Sequence, residues 1–95
     1  MRASLERRLA DLAERRRALR EELAVVDEQL AALADAADDA RLRALVSETP
    51  QAGVEHREAS RSAEAMGRHR AVLAAELAAL DRTEDSLLDQ LTAVR

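Results

Sequence analysis

Leu19–Leu33 reads LREELAVVDEQLAAL, and its large apolar residues fall at Leu19, Leu23, Val26, Leu30 and Leu33. Steps of four, three, four and three are a seven-residue repeat, which puts one apolar stripe along one side of an α-helix. Toward the N-terminus the same steps reach Leu12, Leu9 and Leu5, with Arg16 as the only charged member. Toward the C-terminus they reach Ala37, Ala40 and Ala44. A second series, read backwards from Val94, runs through Leu91, Leu87, Glu84, Leu80, Leu77, Leu73, Arg70, Met66, Ala63, Ala59 and His56. Two helices, each with one seam, follow.

Between the series lies Ser47-Glu48-Thr49-Pro50-Gln51-Ala52-Gly53. Pro50 removes a hydrogen bond from any helix running through it, while Thr49 and Pro50 suit the cap and first position of a new one. The pattern predicts an all-α fold: an antiparallel two-helix coiled-coil hairpin over 1–95, pairing with a second copy into a four-helix dimer. Helix 1 is expected over about 3–47, a turn over about 48–53 with Gly53 in it, and helix 2 over about 54–94.

Folding about that turn brings together residues whose numbers sum to near 100, within half a heptad. Leu9 then meets Leu91, Leu23 meets Leu77, Leu33 meets Met66, and the two charged seam residues, Arg16 and Glu84, reach the same level. Since an unmatched seam charge costs several kcal/mol while the matched pair adds little net stability, the pair serves to set register. Charge blocks agree with this register. Residues 1–20 carry seven Arg against three acids, and 76–95 carry five acids against two Arg; residues 21–40 carry seven acids and no Arg, opposite the mildly basic 57–70.

Composition narrows function by exclusion. The 95 residues include no aromatic side chain and no cysteine, and Ala, Leu, Arg, Glu and Asp make up about three quarters of them, as in long helices. A packed enzyme core without aromatics is improbable, and thiolate chemistry, disulfides and cysteine metal sites are excluded. His56 and His69 are thirteen apart with no third ligand pattern, the serines lack a nucleophile-elbow frame, and no glycine-rich phosphate loop exists. Asp35, Asp38 and Asp39 read as a solvated acidic face. No cofactor, metal or catalytic residue is therefore expected. The basic run Arg15-Arg16-Arg17 with Arg20 lies beside its own acidic arm in a chain of net charge -4, which argues against nucleic acid. With no apolar run of membrane-spanning length, and with Arg7, Arg8, Asp11 and Glu14 interrupting the start, a cytoplasmic protein is expected.

Toward the turn the seam changes from Leu to Ala, with Gly67 beside Ala34, so that half is expected to bury little and to yield to a partner. Leu42, Leu45 and Val46 lie off the seam of Leu30 and Leu33 by roughly a quarter turn of helix. Either the helix changes face after Asp38-Asp39 through a stutter, or the three form an exposed interaction patch. Ala24, Val25, Ala31 and Ala32 on one arm, and Ala71, Val72, Ala75, Ala78 and Ala79 on the other, make a back face suited to a second hairpin. The expected partners are a second copy and a further protein, bound through Leu42, Leu45, Val46, Val25 and Val72.

Asp35-Ala-Ala-Asp38-Asp39-Ala40 is similar to the acidic tip of the regulators that enter the RNA polymerase secondary channel, which implies a polymerase-binding hairpin. Here it falls within an arm, and the zinc cysteines of that family are absent. Glu58 and Ser62 resemble the first two positions of the cyclic-di-GMP-dependent anti-sigma hairpin motif; Ala65, His69 and Leu73 depart from the rest. The hairpin length and turn glycine resemble the type VII secretion hairpins, without their Trp or Tyr. A transcription regulator of the anti-sigma or polymerase-binding type is thus the alternative to an assembly module.

Overall fold

The computed structural model describes residues 1–94. It is all-α: helix α1 (Arg2–Ser47) and helix α2 (Pro50–Ala93) pack against each other as a helical hairpin, with no strand among the described residues. No helix there is long and apolar enough to cross a membrane.

The connection is shorter than the seven-residue stretch suggests. α1 ends where Glu48 takes a left-handed backbone, φ 51°, with its N–H still donating to Ala44 O at 3.2 Å. Thr49 caps α2 by accepting from Ala52 N on its hydroxyl at 3.1 Å, and Pro50 holds the first helical position, where its missing N–H costs nothing. The turn is therefore Glu48-Thr49, and α2 starts at Pro50 rather than near 54. Gly53 is a helical residue whose N–H donates to Thr49 O at 3.2 Å; the left-handed position expected of a turn glycine belongs to Glu48.

Along α1 the shielded residues are Leu5, Leu9, Leu12, Arg16, Leu19, Leu23, Val26, Leu30, Leu33, Ala37, Ala40 and Ala44, and every other position is exposed. The seven-residue step holds without a break, so α1 does not change face after Asp39. On α2 the shielded set follows the second series from His56 to Leu91 and adds Ala52, Gly53, Val54, Ser60, Gly67 and Ala74. Val94 leaves the seam and is 40% exposed, because α2 ends at Ala93.

Contacts divide the chain into two compact units. One joins Met1–Leu23 to the chain from Val72. Leu5, Leu12 and Leu87 form its buried cluster, with Leu9, Leu80 and Leu91 packed against them, and Leu19 and Leu73 are buried as well. Each such leucine contributes roughly 1.5–3 kcal/mol of burial. The other unit, Ala24–Ala71, contains the turn, and its buried residues are Val26, Ala40 and Ala52. Its seam is shielded mainly by small side chains, so less apolar area leaves water. Gly67 is not needed for close approach there, since a Cβ built on it would meet nothing within 4 Å and Ala34 is exposed.

Candidate functional site

The turn-containing unit, Ala24–Ala71, carries the largest exposed apolar side chains of α1. Leu42 is 53% exposed, Leu45 63% and Val46 85%. Leu42 follows the buried Ala40 by two residues, about 200° round the helix at 100° per residue. It therefore points away from α2, and Leu45 and Val46, three and four residues on, flank it on the same outer side. The quarter-turn offset read from Leu30 and Leu33 underestimates this: with the seam continuing through Ala37, Ala40 and Ala44, the three residues occupy the outer face. Arg41 and Arg43 border the patch and Asp35, Asp38 and Asp39 precede it, all exposed. Val25, in the same unit, is 53% exposed. In the other unit Val72 is 56% exposed, and Leu88 is exposed too.

The second constellation lies in the unit of the two chain ends. Arg16 occupies a seam position, its side chain 18% exposed, and its Nη1 donates to Glu84 Oε2 at 2.5 Å, with Glu84 28% exposed. Sequence spacing missed a second carboxylate. Asp81 Oδ1 lies 2.9 Å from Arg16 Nε, but off the line a hydrogen bond needs, so this shielded N–H has charge compensation without an aligned acceptor. The signal for it was present: Asp81 precedes Glu84 by three, which places both on one side of α2. Arg15 Nη2 also crosses to Glu76 Oε2 at 3.4 Å. Arg17 turns outward between Glu14 and Glu21 of its own helix. The hydrogen bond with Glu14, then the charges of Glu14 and Glu21, push its guanidinium above an already high pKa, so it stays charged. Three of the four arginines in the basic run thus face carboxylates of their own chain.

In the turn-containing unit Arg70 crosses to Asp27, and His56 Nδ1 and Ser60 Oγ are 3.4 Å apart. No group of three or more His, Asp or Glu residues is placed to hold a metal ion among the described residues. The chemistry available at these places is burial of apolar surface and pairing of charge. No protein-family model, curated protein or solved structure matches the chain.

Proposed function

We propose that this chain is a non-enzymatic protein–protein interaction module of the cytoplasm, a coiled-coil hairpin that associates with a second copy of itself and holds a further protein on its outer surfaces. The observation that carries this is the unbroken seam of α1. Because the repeat runs on through Ala37, Ala40 and Ala44, Leu42, Leu45 and Val46 have no partner in their own hairpin. Three adjacent aliphatic side chains on one outer face are the kind of surface that association covers. Val25 in the same unit and Val72 in the other are further exposed apolar residues, each a candidate contact within its own unit. Nucleic acid is the weaker partner, since Arg15, Arg16 and Arg17 already face carboxylates that phosphate would have to displace.

The test is a triple substitution, Leu42→Gln, Leu45→Gln and Val46→Gln, measured for both folding and binding. Exposed substitutions cost under ~0.5 kcal/mol each, so far-UV circular dichroism and the melting temperature should stay close to those of the parent. Loss of self-association, or of a partner co-purified from the native host, with the fold intact supports an interaction patch. An unchanged association profile and partner set would move the contact elsewhere. Identification of the co-purified protein as an RNA polymerase or sigma subunit would favour the transcription-regulator alternative.

A further inference from the structure

The outer faces of the two helices carry a pattern that neither the seam nor the ion pairs of the hairpin use. In the turn-containing unit, Glu28, Asp35 and Leu42 each follow a shielded residue of α1, namely Val26, Leu33 and Ala40, by two positions. On α2, Val54, Arg61 and Arg68 follow Ala52, Ala59 and Met66 by two. Two residues turn the chain by about 200°, so each set lies on the outer side of its helix, where Arg61 and Arg68 are exposed and Val54, close to the turn, is half-buried. Within one hairpin the two sets point away from each other and cannot meet.

Register makes them complementary. The cross-helix pairs Arg15–Glu76, Arg16–Asp81, Arg70–Asp27 and Arg16–Glu84 have numbers that sum to 91, 97, 97 and 100, so the two helices run level at a sum of about 96. At that sum Leu42 is level with Val54, Asp35 with Arg61 and Glu28 with Arg68. Apolar faces apolar once and acid faces base twice. None of these four charged residues forms an ion pair within the chain among the described residues. In the other unit the same sum sets Glu21 level with Ala75, Glu14 with Arg82 and Arg7 with Asp89, although Glu14 and Glu21 already pair with Arg17 of their own helix. No level opposes like charges.

We propose that the surface beside Leu42 is occupied by a second copy of this chain, laid edge to edge and pointing the same way, so that α1 of one copy runs antiparallel to α2 of the next. Leu42, flanked by Leu45 and Val46, then covers Val54 of the neighbour, and Glu28 and Asp35 pair with the neighbour's Arg68 and Arg61. This rests on the proposed self-association and gives it an arrangement. The two edges differ, so the contact is heterologous: a pair still has one α1 edge and one α2 edge free, and a third copy can add. Exposed charges supply most of the complementarity, which makes the association weak and sensitive to salt.

A charge swap on the full chain tests this by sedimentation equilibrium, with circular dichroism confirming that each variant folds. The parent should pass twice the chain mass of 10.4 kDa as concentration rises at low salt, with association weakening about tenfold or more in high salt. Arg61→Glu with Arg68→Glu gives a chain with two acidic edges; Glu28→Arg with Asp35→Arg gives one with two basic edges. Each variant alone should associate at least about tenfold more weakly than the parent, and an equimolar mixture should recover the parent's behaviour. Variants that associate like the parent, or a mixture that stays dissociated, overturn the arrangement. A strict dimer indifferent to these four charges overturns it too while leaving self-association standing, whereas a parent that is monomeric throughout removes both.

Discussion

Replacing Arg16 by Leu leaves Glu84 on a shielded seam and Asp81 beside it with no cation. The Arg16 and Glu84 side chains are 18% and 28% exposed and meet at 2.5 Å. Two unit charges ~4 Å apart at an effective dielectric of ~20 attract by about 4 kcal/mol, an upper bound here, while fully exposed pairs are worth about 0.2–1 kcal/mol. Partial burial puts the coupling between these limits, at about 1–2 kcal/mol. Arg16→Leu alone, and Glu84→Leu alone, should each lose stability, because the remaining charge is shielded from water and unpaired. The double substitution replaces the pair with two apolar side chains between Leu12 and Leu19 on one arm and Leu80 and Leu87 on the other. It should return to the parent's stability or exceed it, with Asp81, 51% exposed, left to solvent. A double-mutant cycle in urea measures the coupling from four unfolding curves of matched slope. A coupling below about 0.3 kcal/mol, inside the additivity error, would refute the claim that these side chains set the register.

Gly67→Ala should raise stability by about 1 kcal/mol, since a Cβ there meets nothing and a helical Gly is about that much worse than Ala; a melting temperature a few degrees higher is the readout. Glu48→Gly should stabilise by roughly 0.5–1 kcal/mol by relieving a left-handed residue that carries a side chain, again visible on heating. Leu19→Ala, at the most deeply buried side chain, should cost about 2–5 kcal/mol in urea, whereas the outward Leu45→Ala should cost under ~0.5 kcal/mol.

The hairpin is legible in the chain because one signal recurs over its whole length. The step of three and four from Leu5 to Ala44 selects all the shielded residues of α1 and no others, and the level of Arg16 with Glu84 follows from arithmetic on residue numbers. The turn was harder to delimit because Gly53 competes with Glu48 for the left-handed position. Gly permits that backbone without demanding it, and the Thr49 cap with Pro50 starts α2 early enough to take Gly53 into the helix. Ala37, Ala40 and Ala44 are weak markers of a seam, since alanine sits equally well on an outer face. Spacing alone therefore allows a stutter after Asp39, whereas the exposure of Leu42 places it outward. The second carboxylate at Arg16 was missed because Asp81 lies one position off the repeat, within reach only of a long side chain.

Sedimentation equilibrium of the unmodified chain over a wide concentration range, at low and at high salt, tests the proposed self-association most directly. The expected mass lies above the single-chain 10.4 kDa, climbs with concentration and falls when salt is added. A mass of one chain at every concentration would contradict it.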